Sequence, residues 1–197
     1  MKKFLSVLAV CLTLPAGWAF GQVPAPGSAG PVVVQNFADL NPADGKNAGT
    51  FQDTNGSKIT VAVQGTAPKK YLVVNYTLAQ GGYCGLWCRA GGADWAGVNL
   101  ATAKNITLGI FCKSPVVLGL ALKDKNKNQY VAQTPSTKGG GWETVTVPMD
   151  SFKLDPYYTP PDAIKGAPKD FSAVTTFNIQ PQSVGTFSVA VNNVAAQ

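Results

Sequence analysis

Histidine is absent from the 197 residues, and glutamate occurs once, as Glu143. The first absence excludes Ser-His-Asp and Cys-His nucleophilic chemistry and the usual zinc sites. The second leaves nine aspartates as the only other carboxylates, and no ExDxE or DxE cluster groups them into an acid–base pair. There is no P-loop and no GxGxxG. Arginine is equally scarce: beside 15 lysines stands Arg89 alone. Charged residues make up 13% of the chain, about half the usual share. Lys123, Lys125 and Lys127 are diluted by Asp124, so the clustered basic surface that nucleic acids require is missing. No apolar run is long enough for a transmembrane helix. These absences point to binding rather than catalysis.

What is present reads as all-β. The 21 glycines and 14 prolines have no collagen-like period, and they punctuate short runs rich in Val and Thr. Strands are expected near 31–37, 58–64, 70–78, 83–89, 95–100, 105–112, 115–123, 128–133, 142–147, 173–180 and 184–192. That spacing is the signature of a sandwich or barrel. Alternation assigns faces. Ile106, Leu108, Ile110 and Cys112 share one side of their run; Val116, Leu118, Leu120 and Leu122 form another apolar row. Val145 and Val147 point opposite to Trp142, Thr144 and Thr146, and Phe187, Val189 and Val191 oppose Thr186, Ser188 and Ala190. The longest break, 150–170, has the prolines and paired tyrosines (Tyr157, Tyr158) of a long ordered loop.

Residues 1–21 read as a secretory signal. Lys2 and Lys3 precede an apolar run from Phe4 to Leu14, and small residues at Ala19 and Gly21 suit cleavage after Gly21. Residues 22–30 form a Pro/Gly/Ser linker, and the domain occupies 31–197. Without the signal, 14 basic residues face 10 acidic ones. Export places the chain outside the cytoplasm, in the periplasm, at the cell surface or in the medium, with no membrane association after cleavage. It also favours disulfides. Cys84, Cys88 and Cys112 remain. On one strand Cys84 and Cys88 lie about 13 Å apart, too far to bridge. A bridge from Cys112 to one of them is the expectation; a metal site and buried free thiols are the alternatives.

Several stretches together resemble a known family. Asn-Phe-Ala-Asp (36–39) follows the first apolar strand; Gly-Gly-Tyr-x-Gly begins at Gly81, and Asp-Trp-x-Gly-Val-Asn-Leu spans 94–100. Lys123-Asp124 and Tyr130 come next, then Gly-Trp-x-x-Val-x-Val-Pro from Gly141 with Ser151-Phe152, and finally Val-Asn-Asn (191–193). This order, over about 31–194, resembles the galactose-binding-like jelly-roll superfamily, most closely family 11 carbohydrate-binding modules and the intermediate-associated protein 30 domain. The resemblance implies a two-sheet antiparallel jelly-roll β-sandwich. Its concave face or edge loops would bind a polysaccharide such as a β-glucan, without catalysis, either alone or as a subunit serving an enzyme or larger assembly. An extracellular structural or adhesion role on the same fold is the alternative. The resemblance also implies a structural calcium, with Asp39, Asn41, Asp53 and Asn193 at the matching positions. The last strand departs from it, ending in Val-Asn-Asn where an acidic residue is common.

Sugar recognition needs flat aromatic surfaces and fixed polar groups. On a strand, Tyr83, Gly85, Trp87 and Arg89 share one face, with Cys84, Leu86 and Cys88 on the other. Arg89 beside Trp87 does not suit a core, so this face is expected to open to ligand, extended by Asp94 and Trp95. Tyr130, mid-strand among polar residues, is a further ligand candidate. So are Asn178 and Gln180, which alternate away from Phe177 and Ile179. Family position implies that Trp142 seals the core, although the alternation turns it the other way.

Overall fold

The computed structural model describes residues 30–43, 45–66, 69–91 and 97–197. The expected signal, residues 1–21, and nearly all of the linker lie outside them. Twelve strands follow in order: β1 (Val32–Gln35), β2 (Ala48–Gln52), β3 (Lys58–Gln64), β4 (Tyr71–Leu78), β5 (Cys84–Arg89), β6 (Asn105–Cys112), β7 (Leu118–Lys123), β8 (Gln129–Gln133), β9 (Gly141–Pro148), β10 (Lys153–Leu154), β11 (Thr176–Pro181) and β12 (Gly185–Ala196). Among the described residues no helix is long and apolar enough to cross a membrane.

The strands form two six-stranded sheets, with every pairing antiparallel. Sheet 1 has the order β3-β4-β12-β6-β9, with β1 added beside the end of β12; sheet 2 has the order β10-β8-β7-β11-β5-β2. Between them lies one core. Ile106, Leu108 and Ile110 of β6, Val189 and Val191 of β12, Leu118, Leu120 and Leu122 of β7, and Phe177 and Ile179 of β11 are all buried there. Each such side chain contributes about 1.5–3 kcal/mol by leaving water. The period-2 alternation therefore decides both the core and the two outer faces.

β12 is the longest strand because it changes partners. Residues up to Val191 pair with β4, and residues from Val194 pair with β1. The switch falls at an irregularity in which Asn193 takes φ 48°, a left-handed conformation that asparagine tolerates better than most residues.

Two strands were not expected from the sequence. β2 is short, within a polar Gly-rich stretch, and β10 has two residues. The strand expected at 95–100 contributes one isolated bridge, Val98 to Val174, within its described part.

The expected disulfide is corrected: all three cysteines are free and buried. The Cys88 thiol donates to the Phe177 carbonyl at 3.3 Å, and Cys112 Sγ lies 3.1 Å from the Thr137 hydroxyl. Burial pushes Cys88 up to about 12; burial, and then the Asp53 charge, push Cys84 to about 11. Both are inert thiols of the core, on the sheet facing that of Cys112.

Candidate functional site

The outer face of sheet 2 is built from three cross-strand rows. The central row runs Val131, Ala121, Asn178, Trp87, Gly49. On one side lie Gln129, Lys123, Thr176 and Arg89; on the other, Gln133, Gly119 and Gln180, with Phe51 opposite Gly85. Strands about 4.8 Å apart make the central row roughly 19 Å long.

Glycines shape this face. A Cβ on Gly49 would lie 2.8 Å from the Trp87 indole nitrogen and 3.1–3.2 Å from its ring carbons. The Trp87 ring therefore lies down over Gly49. Likewise a Cβ on Gly85 would run into the Phe51 ring, which covers that glycine. Two half-buried aromatic rings are thus laid along the sheet surface rather than standing away from it. Phe51 has no signal in the sequence, because β2 alternates over too few residues and only its pairing with β5 sets the ring opposite Gly85.

Polar groups fix the rest of the face. Asn178, 8% exposed, donates to Gln129 Oε1 at 3.3 Å, and Gln129 donates to Asp155 Oδ2 at 2.8 Å. Asn178 Oδ1 has no partner among the described residues. An amide oxygen in that state costs about 1–3 kcal/mol. At the Arg89 end, Trp87, Arg89, Lys123, Lys125, Lys127 and Asp162 line a cleft of about 400 Å³. Asp162 comes from the long 150–170 loop and holds Lys123 and Lys127, each at 3.1 Å. The hydrogen bonds of Lys123, then Lys127, keep its carboxyl below the usual range. The loop is thereby anchored beside the face, as expected of an ordered loop.

Of the sequence candidates, Trp87, Arg89, Asn178 and Gln180 share this face, and Tyr83, 60% exposed, precedes β5 at its edge. Asp94 and Trp95 lie outside the described residues. Tyr130 is corrected. Its register opposite Leu122 turns it into the core, where it is 6% exposed and packs edge-on against Phe171 at 5.4 Å. Trp142 is also corrected. It does not seal the core but stands 49% exposed on the outer face of sheet 1, as the alternation with Val145 requires.

The four residues named for calcium do not form a cage. Asp53 Oδ1 accepts from Asn55 N at 2.6 Å and Ser57 N at 3.2 Å, and its Oδ2 accepts from Tyr83 N at 2.6 Å. Ser57 Oγ in turn accepts from Ala79 N, just beyond Leu78. Asn193 lies just past Val191, which pairs with Leu72 at the other end of β4. Six residues of strand separate the two ends, about 20 Å. Asn41 caps its own turn through Ala43 N, and the Lys70 ammonium donates to the Ala38 carbonyl next to Asp39. A lysine charge already occupies that neighbourhood, and calcium needs several converging oxygens. Among the described residues no three Cys, Asp or Glu side chains are placed so that they could hold a metal ion.

Asp53 instead caps the β2–β3 turn. The Ser57 hydroxyl bond, followed by the backbone bonds from Tyr83, Asn55 and Ser57, outweighs burial and lowers its pKa below 3.8. A carboxylate depressed in the fold adds stability above its unfolded pKa and loses it as pH falls through the folded value. Asp53→Asn is therefore expected to lower the melting temperature at pH 7. The gap to the unsubstituted protein should shrink below about pH 4, as read by thermal melts across pH 2.5–7.

Other carboxylates are similarly engaged. Asp124 accepts from Asn128 N and Asp170 N, Asp155 from Tyr157 N and Tyr158 N, Asp170 from Ser172 N, and Glu143 from Lys138 N and Gly139 N.

The architecture is that of a jelly-roll β-sandwich. It is similar to the family 11 carbohydrate-binding module of the cellulosomal cellulase Lic26A-Cel5E of Clostridium thermocellum, with TM-score 0.64 and 17% identity over 86% of this chain and 95% of that one. A Clostridium thermocellum family 11 module in complex with a β-1,3-1,4-mixed-linked tetrasaccharide gives TM-score 0.63 and 16% identity, over 86% of this chain and 96% of that one. An exo-β-agarase gives TM-score 0.54 and 12% identity, over 84% of this chain but 25% of the enzyme. No family model and no curated protein matches the sequence. At these identities the likeness is one of fold, and the jelly roll expected from the sequence is the fold observed.

Proposed function

We propose that this chain is an exported, non-catalytic module that binds a polysaccharide of the β-glucan class on the outer face of sheet 2. The observation that carries the proposal is the Trp87 ring lying over Gly49 in the same cross-strand row as Asn178. A pyranose presents an apolar C–H face and a rim of hydroxyls. A ring laid along a sheet matches the first, and amides held in place match the second. Phe51 supplies a second ring, and Gln180 and Gln133 supply further amides in the neighbouring row.

The carboxylates support a non-catalytic role. Glycoside hydrolysis needs two of them facing one bond, about 5–9.5 Å apart. Asp162 is held by two lysines, while Asp124 and Asp155 bind backbone N–H groups. The fold shared with a module in complex with a mixed-linked tetrasaccharide supports the choice of glycan class. Export rests on the basic start, the apolar run and the small residues at Ala19 and Gly21.

Affinity electrophoresis of the full chain through gels containing soluble glucans and mannans tests the proposal. Retardation by mixed-linked β-1,3-1,4-glucan is expected. Free migration of folded protein through every gel would refute it.

A further inference from the structure

We propose that the outer face of sheet 1 carries a second saccharide-binding cleft, centred on Trp142, so that one molecule holds two glycan chains. Trp142 on β9 is the most exposed tryptophan among the described residues, although tryptophan is highly buried on average. Its neighbour across the strand pair is Phe111 of β6, with ring centroids 5.7 Å apart at 51°. Tyr71 of β4 meets the same indole edge-on, at 6.0 Å and 81°. Two strands, β12 and β6, lie between β4 and β9. The intervening β12 position, Ala190, carries almost no side chain, which leaves room for the rings to meet above it.

These rings border a cleft of about 830 Å³, twice the volume of the one beside Arg89. Its size falls in the range of small-ligand sites. The lining chemistry selects the occupant. Gln64, Asn75, Thr186 and Ser188 bring amides and hydroxyls, and among the described lining residues only Lys113 is charged. Such a surface suits a neutral ligand with an apolar face and many hydroxyls. It lacks the charge of an anion site, and its amides and hydroxyls interleaved with aromatic rings match the hydroxyls and C–H faces of a sugar. The cleft stands on its own residues; that its occupant is a saccharide rests on the function proposed above.

Because the two outer faces lie on opposite sides of the sandwich, they engage different chains or distant segments of one chain. The consequence is cross-linking and avidity on a polymer, which a single face does not give.

The test is an NMR titration of the full chain with the β-1,3-1,4-mixed-linked tetrasaccharide. It follows the indole N–H signals of Trp87 and Trp142, assigned from single Trp→Phe variants. Both signals are expected to move, with separate saturation. Trp142→Ala should weaken the sheet 1 site at least roughly tenfold, leave the Trp87 titration unchanged, and abolish protein-dependent turbidity of soluble mixed-linked glucan. Movement of Trp87 without Trp142 would overturn the second cleft and leave the sheet 2 function intact. Movement of Trp142 without Trp87 would uphold the cleft and refute the sheet 2 function. If neither moves at saturating saccharide, both fall.

Discussion

Trp87→Ala is expected to weaken binding to soluble β-glucan about a hundredfold while the protein stays folded. The ring is half-buried on an outer face and closes over a glycine rather than filling the core. Its loss therefore removes ligand contact more than packing. A sugar face covering about 80 Å² of indole is worth roughly 2 kcal/mol by area, and the stacking geometry adds about 0.5–1 kcal/mol. Together these approach the roughly 2.7 kcal/mol that corresponds to a factor of a hundred. Trp87→Phe keeps a flat ring at the same place and should retain most of the affinity. Calorimetric titration with the polysaccharide, beside a thermal melt of each variant, reads both quantities. An alanine variant that binds like the unsubstituted chain would exclude this face as the site.

The second large effect separates Tyr130 from the binding face. Tyr130→Ala empties a core position packed against Phe171 and under Leu122, and truncations of this kind cost about 3–5 kcal/mol. For a chain of this size that is a fall of roughly 10 °C in melting temperature. Tyr130→Phe keeps the ring and should be close to neutral. Glycan affinity of the folded fraction should be unchanged in both, as measured by melts and by titration below the melting temperature. A stable alanine variant with lost affinity would return Tyr130 to the ligand face.

Tyr130 also shows where sequence reading reaches its limit. Alternation placed Leu118, Leu120 and Leu122 correctly because every second residue is strongly apolar. β8 reads QYVAQ, and its polar neighbours suggested an open strand. In the fold Gln129 is itself buried, paired with Asp155 from a loop 26 residues later, so polarity there reports a hydrogen-bonded layer rather than solvent. Such a pairing has no local signature. Trp142 is the converse case. Alternation with Val145 and Val147 pointed it outward, and the family resemblance pointed it inward. The local period prevailed, because antiparallel pairing with β6 fixes the side of every residue on β9 at once.

The candidate site was legible in part for the same reason. The faces of β5 and β11 follow from alternation, which brought Trp87, Arg89, Asn178 and Gln180 to one surface. Phe51 did not follow, because β2 has five residues and only its pairing with β5 reveals which glycine the ring covers. The calcium residues failed at long range. Asp39, Asn41, Asp53 and Asn193 satisfy a sequence order, but the chain carries Asp53 to the opposite end of β4 from Asn193. Order along a chain does not encode which end of a sandwich a turn will reach.

A crystal structure of the full chain with the β-1,3-1,4-mixed-linked tetrasaccharide bound puts saccharide binding on sheet 2 to the most direct test. A pyranose ring parallel to the Trp87 indole at about 4 Å, with hydroxyls on Asn178 or Gln180, is the expected result. Saccharide bound only elsewhere on the molecule, with the Trp87 face bare, would contradict it.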